Sequence, residues 1–424
     1  MNESRSNIID SAVSEAVQAQ VDAIPLEDIN VAQPDLFRDN IMWPYFERLR
    51  NEDPVHYCKD SLFGPYWSVT KYKDIMTVEM DHKTFSSDTA NGGITIEDDN
   101  LGLGVEMFIA LDPPKHDEQR KVVSPMVSPE NLARMEETIR NRTRKVLAEQ
   151  PVNETFDWVE EVSVNLTTQM LTTLFDFPFE ERHKLTRWSD VASAQPGSGL
   201  VDEETRHREL GEMLAYFTRL WNERAQLPPK PDLISMMAHS DAMRNITPKE
   251  YMGNLILLIV GGNDTTRNSM TGGLLALSQN PDQYRKLCDN PALVESMVPE
   301  IIRWQTPLAS MRRTAVADTE LGGKKIRKGD KVVMWYVSGN RDPEAIENPE
   351  AFIIDRARPR QHLSFGFGIH RCVGNRVAEL QLRILWEEIL KRWPEPQIEV
   401  MGAPTRSYSC VLRTYTSMPV RINA

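Results

Sequence analysis

A ten-residue segment combines one cysteine with closely spaced glycines and aromatic residues, a set that suits a metal-binding loop. It spans residues 365–374 and reads FGFGIHRCVG. Gly366 and Gly368 allow a tight turn and a close approach to a flat partner. Cys372 precedes a predicted helix, and a helix N-terminus favours the thiolate over the thiol. Such a thiolate can bind heme iron, and the alternative is a glycine-rich loop around a buried structural cysteine.

A second segment places an acid and a hydroxyl directly after two glycines, and it reads GGNDTT from residue 261 to 266. Adjacent glycines inside a helix cost roughly 1 kcal/mol each relative to alanine, so they predict a local function, such as opening the helix or admitting a ligand. Asp264 and Thr265 suit dioxygen activation, because an acid can relay protons to bound oxygen. The alternative is a packed kink with both residues as surface or capping groups.

A long helix must carry this second segment. Thr247, Pro248 and Glu250 combine an N-cap, a first-turn proline and a capping-box glutamate. The next stop signal is Asn280-Pro281, so the predicted helix has about 32 residues and a length of about 48 Å. Residues 255–260 are all apolar, which indicates that this helix crosses the interior.

The remaining pattern is mainly helical with few strands. Helices are predicted from Pro291 and from about 373 to 392, the second one directly after the cysteine loop. Strand signals are confined to residues 67–70 and 331–337, which are rich in β-branched and aromatic side chains. The predicted fold class is therefore mainly α with a minor β-sheet region.

Composition limits the class of protein. Hydrophobic residues make up 40% and charged residues 26% of the 424 residues, which is an ordinary globular balance. The net charge of −13 disfavours nucleic acid and anionic membranes as partners. The four cysteines form no CxxC pair, which favours a reduced, cytoplasmic setting. No run of 18 apolar residues occurs, so no membrane span is predicted.

The chain shows neither an internal repeat nor a low-complexity linker. Residues 1–25 are polar and mixed in charge, and they are predicted to form an N-terminal arm or an amphipathic helix. No function is assigned to them. Residues 26–424 are predicted to form a single domain, which is large enough to bury a cofactor.

The cysteine segment resembles the heme-binding loop of the cytochrome P-450 family. Two further motifs resemble that family in the same order: EIIR at 300–303 and PEAFIIDR at 349–356. The i,i+3 spacing places Glu300 and Arg303 on one helix face, and the resemblance implies that Arg356 joins them in a structural triad. Over residues 40–420 it implies the cytochrome P-450 fold, with heme between the long central helix and the cysteine loop.

The resemblance also implies a cofactor and the residues that bind it. The cofactor is heme b (iron protoporphyrin IX), with the thiolate of Cys372 as axial iron ligand. Heme carries two propionates, and buried carboxylates need cationic or hydrogen-bonding partners. The positions that match cofactor contacts of the family are His116, Arg120, Gly261, Arg313, His362, Phe365, Gly366, His370 and Gly374. The family gives oxygen binding and proton delivery to the residues that match Thr265 and Asp264.

A narrower resemblance concerns the substrate. Residues 261–269 and 366–388 are similar to the soluble bacterial alkane ω-hydroxylases, which implies insertion of one oxygen atom into terminal methyl groups of medium-chain alkanes or related chains. Most matching cavity positions are apolar, which fits a hydrophobic substrate. These positions are Leu103, Phe108, Leu257, Val260, Gly261, Leu308, Ala309 and Met311. Residues 97–99 are acidic, and no cation marks a carboxylate site, so a bare alkane or a terpene is as plausible as a fatty acid. A terpene, cyclic or fatty-acid substrate is the alternative.

Electrons must come from other proteins, because no Rossmann glycine fingerprint and no fused flavin or iron–sulfur domain is evident. The resemblance implies a [2Fe-2S] ferredoxin and an NAD(P)H-dependent ferredoxin reductase. Arg120, Lys121, Arg371 and Arg376 are either a basic patch that attracts an acidic ferredoxin or scattered solvated charges. A peroxide-driven enzyme is disfavoured by the Asp264–Thr265 pair, and a heme sensor or carrier by the lack of an output domain.

Overall fold

A computed structural model describes residues 15–98, 104–195 and 197–423 of the chain. Helices dominate these residues, and the strands form small separate sheets. This confirms the predicted fold class. The α-helices of the described residues are α1 (Glu15–Ala23), α2 (Pro34–Arg38), α3 (Trp43–Glu52), α4 (Tyr72–Met80), α5 (Lys115–Val123), α6 (Pro129–Ala148), α7 (Asn165–Phe175), α8 (His183–Ser193), α9 (Glu203–Ala225), α10 (Leu233–His239), α11 (Pro248–Gln279), α12 (Pro281–Asp289), α13 (Val294–Gln305), α14 (Tyr336–Gly339) and α15 (Asn375–Arg392).

The strands are short. They are β1 (Val55–Cys58), β2 (Tyr66–Val69), β3 (Phe85–Ser86), β4 (Thr155–Asp157), β5 (Ser310–Ala315), β6 (Thr319–Leu321), β7 (Lys324–Ile326), β8 (Lys331–Trp335), β9 (Ile398–Val400), β10 (Thr405–Arg406), β11 (Tyr415–Ser417) and β12 (Pro419–Ile422). The main sheet has the order β1-β2-β8-β5-β3, and only its β2–β8 pair is parallel. Both predicted strands are present as β2 and β8, although β8 ends at Trp335 because the next residues turn into α14.

The long central helix is α11, and its predicted start is confirmed. The Thr247 hydroxyl accepts the Glu250 N–H at 3.2 Å, and the Glu250 carboxylate accepts the Thr247 N–H at 2.8 Å. The helix is unbroken from Pro248 to Gln279 and packs against α7, α8, α13 and α15. Opening of the helix, one of two predicted consequences of the glycine pair, therefore does not occur.

The predicted triad of Glu300, Arg303 and Arg356 is confirmed. Nε and Nη2 of Arg303 donate to the Glu300 carboxylate at 2.7 and 2.8 Å, and Nε of Arg356 donates at 2.9 Å. Glu300 and Arg303 are completely buried on α13, and Arg303 also donates to the carbonyls of Asn340 and Pro349. The triad thus ties α13 to the irregular segment that precedes the cysteine loop.

The described part of the N-terminal segment contains a helix, α1, that packs against α3. In α1, Val21 is fully buried in a cluster with side chains of α3. Nη1 of Arg48 donates to the carbonyls of Val21 and Ile24 at 2.6 and 2.8 Å. Residues 1–14 lie outside the described residues, so the N-terminal arm or amphipathic helix and the domain boundary at residue 25 stay predictions.

Glu388 connects α15 to α6 and provides a test of stability. Its nearly buried carboxylate contacts Arg140 at 2.8 Å, Arg144 at 2.9 Å and Lys391 at 2.8 Å. Burial by itself raises the pKa of this carboxylate, but the three cations outweigh that effect and lower the pKa to about 2. The folded pKa lies below the unfolded value of about 4.3, so the stabilisation is complete above that value and disappears as the pH falls towards 2.

We expect Glu388→Gln to lower the free energy of unfolding at pH 7 by about 2 kcal/mol. Urea unfolding of both proteins at several pH values measures this difference, which should shrink once the pH falls below about 4.3. Glu395→Gln, which changes an exposed carboxylate near the end of α15, should have little effect. A difference for Glu388→Gln that does not change with pH would contradict the electrostatic origin.

Candidate active site

A cavity of about 570 Å³ is lined by α11 and by residues of the segment 364–374. Cys372 contributes to the wall from the cysteine loop, and Gly261 and Thr265 contribute from α11. Most other wall residues are apolar. The cavity therefore brings together the two segments whose chemistry stood out in the sequence, although they lie about a hundred residues apart along the chain.

The cysteine loop is a glycine-dependent turn. Gly366 and Gly368 have positive φ values of 65° and 66°, a conformation that glycine adopts at little cost. A Cβ atom at Gly368 would lie 2.3 Å from the carbonyl oxygen of Glu79, so only glycine fits. The Cys372 N–H donates to the carbonyl of Phe365 at 2.8 Å and closes the loop.

The surroundings of Cys372 differ from the prediction in one respect. Helix α15 begins at Asn375, three residues beyond the cysteine. Cys372 is exposed to the cavity, yet desolvation by the surrounding protein atoms raises the pKa of its thiol. The Gly374 N–H and the guanidinium groups of Arg120 and Arg371 oppose this shift. The helix N-terminus alone therefore does not favour the thiolate, whereas coordination to a metal cation deprotonates a thiol outright.

The two adjacent glycines of α11 have different surroundings. A Cβ atom at Gly261 would meet no atom within 4 Å, so this position opens onto the cavity. A Cβ atom at Gly262 would lie 2.9 Å from Cδ2 of Leu171 on α7. Thr265 lines the cavity, and its hydroxyl donates to the Gly261 carbonyl at 2.9 Å. Admission of a ligand, the second predicted consequence of the pair, stays a prediction that the open space at Gly261 allows.

Asp264 is turned away from the cavity. It is fully buried, and its Oδ1 accepts the Ser189 hydroxyl at 2.9 Å and lies 3.0 Å from Nη2 of Arg267. Burial raises the pKa of Asp264, and the Arg267 charge opposes this shift. The structure therefore brings Thr265 but not the Asp264 carboxylate to the cavity.

Basic side chains with incomplete hydrogen bonding border the cavity. Arg120 and His370 line it, and the rings of His370 and His116 lie 4.4 Å apart between centroids. Nε2 of His116 and both ring nitrogens of His370 are buried without a hydrogen-bond partner among the described residues. Burial, aided by neighbouring cations, lowers the pKa of His370 to about 2. Buried donors normally have a partner, and a carboxylate-bearing cofactor in the cavity would supply it.

Two other predicted cofactor contacts do not line the cavity. The Arg313 guanidinium is buried and donates to Oε2 of Glu79 at 2.8 Å, so its charge is already matched. The ring of His362 packs against Phe365 at 5.5 Å, and burial lowers the pKa of His362 to about 3. Propionate contacts by Arg313 and His362 stay predictions.

Most of the predicted substrate positions do line the cavity. Those on its wall are Phe108, Leu257, Val260, Gly261, Leu308 and Met311. Ala309 does not, because its side chain is fully buried in a cluster with Trp335 and its N–H donates to the carbonyl of Val411. Leu103 lies outside the described residues.

Parts of the wall were missed in the sequence. They are Ala192, Ser193, Gln195, Ser409, Val411 and Leu412. These residues belong to two separate segments, and neither of them carries a motif. The C-terminal segment reaches the cavity through tertiary contacts, including a bridge between Leu412 and Leu308.

A cysteine exposed to a cavity opposite an open helix position, with imidazoles at the edge that have no hydrogen-bond partner among the described residues, is the site of a heme-thiolate protein. The cytochrome P-450 family model matches residues 217–396. Linalool 8-monooxygenase of Pseudomonas putida is 36% identical over 378 residues, which are 87% of this chain and 92% of that protein. The chain belongs to the cytochrome P-450 family. It is a monooxygenase whose heme iron is bound by a cysteine thiolate.

Solved structures agree with this assignment. Cytochrome P-450 153 from Novosphingobium aromaticivorans is 44% identical with a TM-score of 0.87, and the match covers 93% of this chain and all of that one. CYP153D17 from Sphingomonas sp. PAMC 26605 is 48% identical with a TM-score of 0.88, covering 94% of this chain and all of that one. Among the described residues, no helix is long and apolar enough to cross a membrane.

Proposed function

We propose that this chain hydroxylates terminal methyl groups of medium-chain alkanes or related aliphatic chains. The observation that carries the proposal is the apolar wall around Cys372 and Thr265, formed by side chains such as Leu257, Val260 and Phe108. Aliphatic chains match such a wall because burial of apolar surface drives their binding. The similarity to two cytochrome P-450 structures of the 153 group, at 44% and 48% identity, supports the same substrate class, aliphatic chains.

In this proposal, bound heme supplies the binding and activation of dioxygen, and the protein supplies its ligand, its contacts and the protons. The thiolate of Cys372 would hold the heme iron, and the segment of Phe365, Gly366 and Gly374 together with Gly261 would border the flat cofactor. The side chains that would hold its carboxylates are His116, Arg120, Arg313, His362 and His370. The apolar wall excludes bulk water and orients the aliphatic chain.

Thr265 and Asp264 have the proton-transfer roles. The Thr265 hydroxyl faces the cavity and can donate a hydrogen bond there once it leaves the Gly261 carbonyl. Asp264 reaches the cavity only after its carboxylate leaves Ser189 and Arg267. We propose that Thr265 holds and delivers a proton, and that Asp264 replenishes it by rotation of its side chain.

Thr265→Ala should uncouple electron use from product formation. Without the hydroxyl, the proton donor at the cavity is lost, and we expect the ratio of hydroxylated product to NAD(P)H consumed to fall about tenfold. Thr265→Ser keeps the hydroxyl and should retain most of this coupling. Product yield and NAD(P)H consumption are measured in the same assay. Coupling in Thr265→Ala equal to that of the unchanged protein would remove the proposed role.

Product analysis tests the substrate and the position of attack. The purified protein is supplied with a [2Fe-2S] ferredoxin, an NAD(P)H-dependent reductase and either n-decane, decanoate or linalool. We expect 1-decanol as the main product from decane, and mainly internal alcohols would contradict terminal hydroxylation. Linalool is included because the 36% identity to linalool 8-monooxygenase favours a terpene alcohol as second candidate. Efficient turnover with hydrogen peroxide alone would support the peroxide-driven alternative.

The ferredoxin is proposed to dock near the cysteine loop. Lys121, Arg371 and Arg376 are exposed, and Arg120 donates to the carbonyl of Arg371. These cations would attract an acidic ferredoxin despite the negative net charge of the chain. The cytoplasmic setting stays a prediction.

A further inference from the structure

One part of the cavity wall carries a buried carboxylate that the proposed reaction does not use. Glu97 and Gln195 both line the cavity, and they are 9% and 6% exposed. Nε2 of Gln195 donates to Oε1 of Glu97, and Oε1 of Gln195 accepts the Cys410 N–H at 2.9 Å. These bonds join three chain segments, none of which carries Cys372 or belongs to α11.

Glu97 keeps one oxygen available to a ligand. The hydrogen bond from Gln195 engages Oε1 of Glu97 and does not use Oε2. Burial raises the pKa of Glu97, and Gln195 and the charges of Arg206 and Lys331 oppose this shift. The Glu97 carboxylate is therefore a hydrogen-bond acceptor that Gln195 fixes in place on the cavity wall. A ligand hydroxyl that donates to it would replace the hydrogen bonds to water that the carboxylate loses on burial.

The cations closest to this region are already paired, and Arg206, whose charge acts on Glu97, lies 3.5 Å from the Glu203 carboxylate. Asp98, the residue after Glu97 along the chain, also lines the cavity and forms ion pairs with Arg312 and with Lys331 at 3.1 Å. In the described part of the cavity wall, the basic residues are Arg120 and His370, which we assign to the cofactor. A carboxylate ligand beside Glu97 would thus meet a like charge without a free cation.

We propose that Glu97 is a specificity-determining residue that accepts a hydrogen bond from a hydroxyl group at the end of the aliphatic chain remote from the oxidised methyl group. It favours chains that end in an alcohol over chains that end in a carboxylate. Gln195 is its positioning residue, because it fixes one carboxylate oxygen and is itself fixed by the Cys410 backbone. This inference rests on the proposed function.

Equilibrium binding to the heme-loaded protein tests the inference without turnover. 1-Decanol, decanoate and decane are titrated separately, and the change in heme absorbance gives each Kd. We expect 1-decanol to bind at least about tenfold more tightly than decanoate in the unchanged protein. Glu97→Gln preserves size and can still bond to Gln195. It should reduce this preference about tenfold, mainly by tightening decanoate binding.

Two further variants separate charge from shape. Glu97→Asp keeps the charge but withdraws it by one methylene, so it should still reject decanoate while binding 1-decanol more weakly. Glu106→Gln changes a glutamate further along the same loop that pairs with Lys115 at 3.5 Å and does not line the cavity. It should leave the preference unchanged. The thiolate-type CO spectrum of each variant confirms that its heme site is intact.

Either of two results would overturn the inference: equal binding of decanoate and 1-decanol by the unchanged protein, or an unchanged preference in Glu97→Gln. If Glu97→Gln does not take up heme, Glu97→Asp decides, and an unaltered 1-decanol Kd then counts against the role. Failure of the proposed function gives a different result. Decane would be hydroxylated internally while the preference for 1-decanol over decanoate persisted.

Discussion

Cys372→Ser is expected to abolish the thiolate-type spectrum of the reduced, CO-bound protein and to lower monooxygenase activity by about 10³-fold or more. Serine has nearly the size of cysteine, so the turn closed by the Cys372 N–H and the Phe365 carbonyl should persist. The substitution therefore removes the soft sulfur ligand while leaving the loop and the cavity intact. The absorption spectrum of the CO complex and the rate of decane hydroxylation measure the two effects.

Cys288→Ser is the matched control, because Cys288 is a free, partly exposed cysteine that does not line the cavity. It should retain both the spectrum and the activity. Circular dichroism of Cys372→Ser should show the helical content of the unchanged protein, which separates loss of the ligand from loss of the fold. A thiolate-type spectrum in Cys372→Ser would exclude Cys372 as the axial ligand.

Glu300→Gln is expected to destabilise the protein by about 3–5 kcal/mol and to reduce the fraction that binds heme. Glu300 is completely buried and accepts hydrogen bonds from the guanidinium groups of Arg303 and Arg356. Glutamine preserves the shape but removes the negative charge, which leaves the buried Arg303 and the largely buried Arg356 without their counterion. Because the triad anchors the segment before the cysteine loop, the heme site should loosen together with it.

Heme content per mole of protein and the midpoint of urea unfolding measure this effect. Glu223→Gln is a matched control, because Glu223 pairs with Arg219 at 3.9 Å and the side chains of both residues are more than half exposed. An exposed pair contributes about 0–1 kcal/mol, so this control should unfold close to the midpoint of the unchanged protein. A normal midpoint and full heme content in Glu300→Gln would show that the triad is dispensable.

Features controlled by neighbouring residues were predictable from the sequence. The capping box of Thr247 and Glu250 lies within one helical turn, so the start of α11 could be read directly. The glycines of the cysteine loop relieve a local backbone restriction, and the i,i+3 spacing of Glu300 and Arg303 follows from helix geometry. The axial cysteine and the class of protein depended on these local patterns together with the family resemblance.

Features that depend on packing between distant segments were decided only by the tertiary structure. Thr265 lines the cavity and the neighbouring Asp264 does not, because the packing of α8 places Ser189 against the buried Asp264 carboxylate. Arg313, a predicted cofactor contact, donates a hydrogen bond to Glu79, a residue 234 positions away. Glu97 and Gln195 meet across 98 positions, and no local pattern encodes such a contact, because it depends on how separate elements fill space together.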